Sequence, residues 1–89
     1  MKVTADTEII NELGLHARPD TVLAQTAMQY KSAIQLQVIG GMTCDPKSVM
    51  NLMMLAAGKG TKIILTAEGP DAQEAVDAMA ELFNTGFGE

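Results

Sequence analysis

The hydrophobic pattern changes its period several times along a chain of only 89 residues. Near the start, one face of a period-two pattern holds Val3, Ala5, Thr7 and Ile9, and the other holds Lys2, Thr4, Asp6 and Glu8. Such alternation is typical of a strand with one buried face. From Val22 to Tyr30 the apolar positions follow helical spacing instead, with Pro19 in the first turn, where its missing N–H is tolerated. The chain therefore begins with a strand and a helix.

A hairpin and a short helix are predicted next. Ile34, Leu36 and Val38 alternate with glutamines, and Gly40-Gly41 offers a tight turn into a strand over 42–44. A short apolar helix then runs from about Ser48 to Ala57, closed by Gly58-Lys59-Gly60. If Val49, Leu52, Leu55 and Ala56 face the core, Met50, Met53 and Met54 are left near the surface.

The last third of the chain predicts a strand through 63–65 and a long helix. The helix has one apolar stripe, made of Ala72, Ala75, Val76, Met79, Leu82 and Phe83, and Gly86 stops it. The element order is β-α-β-β-α-β-α within one domain, residues 1–89. The predicted fold class is α/β (α+β), an open-faced sandwich whose four-stranded, mainly antiparallel sheet is covered on one face by three helices.

Composition restricts the function. The net charge is −5, from 11 acids against 6 bases, and this excludes nucleic acid, which needs a basic surface. Cys44 is the only cysteine, and a free thiol suits the reducing cytoplasm. No signal peptide or membrane-spanning stretch is expected, because no apolar run approaches the necessary length. No metal or other cofactor is expected, and neither a ligand cluster nor a phosphate-binding loop is present.

His16 is the only histidine, and it stands with Arg18 at the predicted start of the first helix. The free N–H groups of a helix's first turn favour an anion there, and the Arg18 guanidinium adds donors suited to phosphate oxygens. The anion could bind reversibly, or it could be attached covalently, since histidine also acts as a nucleophile. These residues alone leave the two alternatives open.

The run Gly14-Leu15-His16-Ala17-Arg18-Pro19 resembles the active-site motif of HPr, the histidine-containing phosphocarrier family of the bacterial phosphotransferase system. The resemblance implies that His16 accepts a phosphoryl group on Nδ1 from Enzyme I, which is charged by phosphoenolpyruvate, and passes it to an enzyme II A-type acceptor protein. It also implies that the Arg18 side chain and the backbone N–H groups of Ala17 and Arg18 hold the phosphoryl group. The HPr-like fold is the open-faced sandwich already predicted.

The second helix resembles the HPr helix that docks against partners. Flexible methionines suit a surface that must fit several proteins, although they could also fill an irregular core. The residues assigned to docking are Leu15, Thr21, Val49, Met50 and Met53. In the setting Lys47-Ser48-Val49-Met50, Ser48 is expected to cap the helix, and the resemblance makes it a regulatory target of a serine-specific HPr kinase/phosphorylase.

Asp20 departs from the HPr pattern, which usually has a small residue there. Its carboxylate interacts favourably with the helix dipole, yet it would repel a phosphoryl group or divert Arg18 unless it points to solvent.

Met53-Met54-Leu55 and the segment 81–87 look more like NPr, the nitrogen-branch paralogue, so both branches stay open. A different class is a regulatory binding protein of the same fold in which transfer through His16 is weakened or lost. A stand-alone enzyme is disfavoured, because one histidine has no partner nucleophile. We expect a monomer.

Overall fold

The computed structural model describes residues 1–89. Its strands are β1 (Lys2–Glu8), β2 (Ala33–Val38), β3 (Thr43–Cys44) and β4 (Lys62–Glu68). Its helices are α1 (Ala17–Ala27), α2 (Val49–Leu55) and α3 (Ala72–Asn84), followed by a 3₁₀ turn over Gly86–Gly88. The element order and the fold class are those predicted from the sequence.

The sheet has the order β1-β4-β2-β3, and every neighbouring pair is antiparallel. Leu65, on the central strand β4, pairs with Ala5 on one side and Leu36 on the other, and it is completely buried. Gln35 and Gln37 lie on the opposite, exposed face. The predicted alternation therefore places one face of the sheet in the core and the other in water.

Helix α3 packs against β1, β4 and β2, and α1 packs against α2 and α3. The predicted stripe of α3 is buried except for Leu82, which is half-buried. Leu52 is the one fully buried residue of α2, and Val49 and Leu55 are partly buried and pack against the core beside it. No helix has both the length and the apolar character needed to cross a membrane.

Two helix boundaries differ from the prediction, whereas α3 ends at Asn84, just before Gly86, as predicted. Helix α1 ends at Ala27, so Tyr30 lies beyond it. Helix α2 stops at Leu55, because Ala56 adopts a left-handed conformation with φ of 46°. Ala56 is exposed, and the expectation that it faces the core is wrong. A glycine usually occupies such a position, which is why the sequence favoured a later end.

Candidate functional site

His16 is the residue immediately before α1, where it occupies the N-cap position with extended backbone angles. Its side chain makes no capping hydrogen bond and is 35% exposed. The N–H groups of Ala17 and Arg18, the first two helical positions, have no carbonyl partner within the helix. The imidazole therefore stands beside free donors and the positive end of the helix dipole.

The loop that carries His16 is fixed against the end of α2. Gly14 has φ of +66°, and a Cβ on it would lie 2.5 Å from the carbonyl oxygen of Ala57. The Leu15 N–H donates to the same oxygen at 2.8 Å. Only glycine permits this approach, so Gly14 is the residue that joins the histidine loop to α2.

Glu89 supplies a carboxylate to His16. Its Oε2 lies 2.8 Å from Nε2 of the imidazole, and its Oε1 accepts a hydrogen bond from Asn11 Nδ2 at 2.9 Å. The hydrogen bond from Asn11 lowers the pKa of Glu89, with His16 and Arg18 adding to the effect and burial opposing it. An ionised carboxylate only accepts hydrogen bonds, so the proton of a neutral His16 lies on Nε2 and Nδ1 keeps its lone pair.

Arg18 also points to the segment around Glu89. Its Nε lies 3.3 Å from Glu89 Oε2, and a terminal guanidinium nitrogen donates to the carbonyl oxygen of Phe87. The Phe87 ring is buried and packs edge-on against Phe83, with 5.1 Å between ring centroids. This aromatic pair anchors the end of the chain beside His16.

Asp20 is buried within α1, with 1% of its surface exposed. Its Oδ1 has no hydrogen-bond partner, and burial raises the pKa of the carboxyl, while the charge of His16 partly opposes that shift. The side chain does not turn to solvent. Nor does it divert Arg18, whose partners are Glu89 and Phe87. Asp20 is therefore a buried charge close to the site rather than a ligand of the arginine.

Ser48 caps α2, as the sequence predicts. Its Oγ accepts hydrogen bonds from the backbone N–H and the side-chain Nδ2 of Asn51, at 3.2 and 2.9 Å. Beyond the cap, Met50, Met53 and Met54 are exposed by 77%, 60% and 69%. The methionines therefore form a surface and do not fill the core.

The other residues assigned to docking divide into two groups. Thr21 is exposed, although its hydroxyl donates to the Ala17 carbonyl at 2.8 Å, and Val49 is half-buried. Leu15 is only 6% exposed and belongs to the hydrophobic core. Its assignment to docking is wrong, because the Gly14 turn directs the Leu15 side chain inward while the neighbouring imidazole stays accessible.

Sequence reasoning missed Asn11, Phe87 and Glu89. Glu89 and His16 are 73 residues apart, and no local spacing connects them. The only available signal was the predicted sheet, which brings the ends of β1 and α3 together without fixing any side chain.

No group of three or more His, Cys, Asp or Glu side chains could hold a metal ion. Burial, with Asp45 and Asp20 adding to it, raises the pKa of the Cys44 thiol to about 11, which favours the protonated thiol over the nucleophilic thiolate.

Fold and site together define a small open-faced sandwich that presents one histidine at a helix N-terminus, as a carrier of a covalently bound anion would. The comparisons with known proteins agree. The family model "PTS HPr component phosphorylation site" matches residues 3–85. The chain is 48% identical over 84 residues to phosphocarrier protein HPr of Cupriavidus necator, covering 94% of this chain and 93% of that protein.

Two further relatives cover the whole chain. Phosphocarrier protein NPr of Klebsiella oxytoca is 39% identical over 89 residues, which are 100% of this chain and 99% of that protein. A crystal structure of HPr from Thermoanaerobacter tengcongensis superposes with a TM-score of 0.87 at 38% identity, covering 100% of this chain and 97% of that one. The chain belongs to the HPr family, and it is a phosphocarrier of the bacterial phosphotransferase system. Proteins of this family work with Enzyme I and enzyme II components.

Proposed function

We propose that the phosphoryl group is carried on Nδ1 of His16. The contact between His16 Nε2 and Glu89 Oε2, at 2.8 Å, is the observation that supports this choice of nitrogen. It holds the proton on Nε2, so the lone pair of Nδ1 is free to attack phosphorus. As the N–P bond forms, the bond between phosphorus and the phosphorylated donor breaks. The donor leaves with the electron pair of that bond.

The Glu89 carboxylate also suits the charged product. Once Nδ1 carries the phosphoryl group and Nε2 keeps its proton, the ring is an imidazolium cation. A carboxylate on Nε2 stabilises that cation, as a buried aspartate does for the imidazolium of a catalytic triad. The same contact therefore serves both the acceptance and the release of the phosphoryl group.

The phosphoryl oxygens meet the backbone N–H groups of Ala17 and Arg18, which are unpaired within the helix. The Arg18 side chain is half exposed, so it is free to exchange Glu89 and the Phe87 carbonyl for the phosphoryl oxygens. Arg18 would then hold the anion when it is present and the end of the chain when it is absent.

The partners we propose are Enzyme I as donor and an enzyme II A-type protein, of the sugar or the nitrogen branch, as acceptor. They would contact a docking surface formed by Thr21, Val49, Met50 and Met53, which lies on α1 and α2. The Gly14 loop fixes α2 to the histidine, so a partner seated on α2 is held at a constant position relative to the imidazole. We further propose that the chain acts as a monomeric single domain in the cytoplasm.

Ser48 is proposed as a regulatory phosphorylation site for a serine-specific HPr kinase/phosphorylase. A phosphate on its Oγ would face the N-terminus of α2, where the dipole tolerates it. It would also bring nearly two negative charges beside Val49 and Met50, at the edge of the docking surface. The modification would therefore weaken docking more than it would disturb the fold.

The test of the proposed site is to incubate the purified chain with Enzyme I and phosphoenolpyruvate and to measure its mass. We expect a gain of one phosphoryl group that is labile in acid and stable in base. His16→Ala should gain nothing. A parent that is never phosphorylated, yet binds Enzyme I, would favour the regulatory binding protein instead.

The docking surface is tested by Met50→Glu and Met53→Glu in a binding assay with Enzyme I. Each should raise Kd, because a carboxylate replaces an apolar contact. Met28→Glu is the matched control, since Met28 is exposed by 61% but lies just after the far end of α1. If all three changes weaken binding equally, the assignment of the docking surface to α2 is wrong. Incubating the phosphorylated chain with acceptors of either branch then identifies the branch.

A further inference from the structure

Asn11 is a buried asparagine in the loop between β1 and α1, with 5% of its surface exposed. Its Nδ2 donates to the Gly14 carbonyl at 2.9 Å and to Glu89 Oε1 at 2.9 Å. Its Oδ1 has no partner. The two acceptors fix the orientation of the amide, because exchanging its oxygen and nitrogen would set an acceptor against both.

The Glu89 carboxylate stands between Asn11 and the imidazole. Oε1 is held by Asn11, while Oε2 faces His16 Nε2 and Arg18 Nε. Both partners of Oε2 are substantially exposed, at 35% for His16 and 51% for Arg18, whereas the Asn11 amide is protected from water. The hydrogen bond from Asn11 to Oε1 therefore determines where Oε2 points.

We propose that Asn11 is a positioning residue for phosphoryl transfer, which holds the Glu89 carboxylate on Nε2 of His16 so that Nδ1 remains the free nucleophile. Asn11 acts through Glu89 and touches no reacting atom. Its effect on transfer rests on the proposed function of His16, whereas its effect on the imidazole does not.

The first test measures the tautomer of His16 in the unphosphorylated protein. At pH 8.5, where imidazoles are neutral, the ¹⁵N chemical shifts of the two ring nitrogens report where the proton lies. The parent should show a protonated Nε2. Asn11→Ala should move the two shifts toward each other, as should Asn11→Asp, which keeps the shape but replaces the donor with an acceptor. Asn84→Ala is the matched control, because Asn84 only accepts from Thr7. Unchanged shifts in both folded Asn11 variants would overturn the proposal.

The second test is a double-mutant cycle on the rate of phosphorylation by Enzyme I. Asn11→Ala removes the hydrogen bonds to Glu89 and to the Gly14 carbonyl. Loss of the one to Glu89 should lower the rate about two- to tenfold. In a Glu89→Ala background the same change should have no further effect, because the residue through which Asn11 acts is gone. Additive effects would show a merely structural role and would contradict the proposal. If the parent is not phosphorylated at all, the function assigned to His16 fails, and the chemical shifts still decide the role of Asn11.

Discussion

Replacing Asp20 by alanine should stabilise the fold. The parent keeps a carboxylate that is 1% exposed, and its Oδ1 has no partner. A buried unpaired polar atom costs about 1–3 kcal/mol. Alanine loses a helix-dipole contribution of about 0.3–1 kcal/mol and gains a similar amount in helix propensity. The net increase in the free energy of unfolding is about 1–2 kcal/mol at pH 7, or a rise in Tm of about 4–8 °C for each kcal/mol.

The pH dependence of this gain follows from the raised pKa of Asp20. A carboxyl whose pKa is higher in the folded than in the unfolded chain favours the fold when it is protonated. That contribution is complete below the unfolded pKa, near 3.8, and is lost as the pH rises through the folded pKa. The advantage of Asp20→Ala should therefore be largest at neutral pH, shrink as the pH falls through the raised pKa toward about 3.8, and change no further below that.

The same substitution should favour the phosphorylated state. The charges of Asp20 and His16 interact in the structure. With an effective dielectric constant of about 20–40, we expect a repulsion of about 1–2 kcal/mol between the Asp20 carboxylate and a phosphoryl group on His16. Such a difference changes an equilibrium constant by about 5- to 30-fold. The ratio of phosphorylated to free chain, measured at fixed Enzyme I, phosphoenolpyruvate and pyruvate, should rise by that factor in Asp20→Ala.

Urea unfolding at pH 7 and pH 3.5 and the phosphorylation equilibrium are the two assays for this prediction. Asp77→Ala is the matched control, because Asp77 is an exposed helical aspartate on α3 that accepts only from Gln73. Destabilisation of Asp20→Ala at pH 7 would refute the stability argument, because it would mean that the carboxylate has a favourable partner. Equal phosphorylation of variant and parent would refute the proposed repulsion between Asp20 and the phosphoryl group.

Three further changes test contacts that hold the fold together. Gly14→Ala should lower the free energy of unfolding by about 2–4 kcal/mol in urea, since its Cβ would meet the Ala57 carbonyl at a positive φ; an unchanged midpoint would contradict the tight contact. Ala56→Gly should raise stability by about 0.5–1 kcal/mol, because glycine adopts the left-handed conformation without strain; a loss would mean that the Ala56 side chain has a role. Hydrogen bonds from Ser32 Oγ and from the backbone of Lys31 and Ser32 lower the pKa of Asp71 to about 2. The ionised carboxylate therefore stabilises the fold above about pH 4, and this stabilisation is lost as the pH falls toward 2. Asp71→Asn should therefore flatten the acid side of the stability profile, and a profile parallel to that of the parent would exclude this source.

The sheet and α3 could be predicted because their residues follow one period over a whole element. Val3 to Ile9 alternate strictly, and the stripe from Ala72 to Phe83 keeps helical spacing. The end of α2 could not be predicted, because Ala56 adopts a conformation that its residue type disfavours. Packing of the Gly14 loop against Ala57 and Gly58 accompanies that conformation, and such packing is not encoded in local propensity.

The site was predictable only in its local half. His16 and Arg18 belong to one motif, and the helix start places them together. Asn11 and Glu89 complete the site from 78 residues apart, and their contact depends on how the segment after α3 folds back over the loop. Asp20 illustrates the same limit, since its position in the first turn is evident from the sequence, whereas its burial depends on the elements that pack against α1.

NMR of the phosphorylated protein shows whether Nδ1 of His16 carries the phosphoryl group. After incubation with Enzyme I and phosphoenolpyruvate, ³¹P and ¹⁵N spectra identify the nitrogen bonded to phosphorus. We expect coupling of phosphorus to Nδ1 of His16, with the proton on Nε2 retained against Glu89. A phosphoryl group on Nε2 would contradict it, as would one on any other residue.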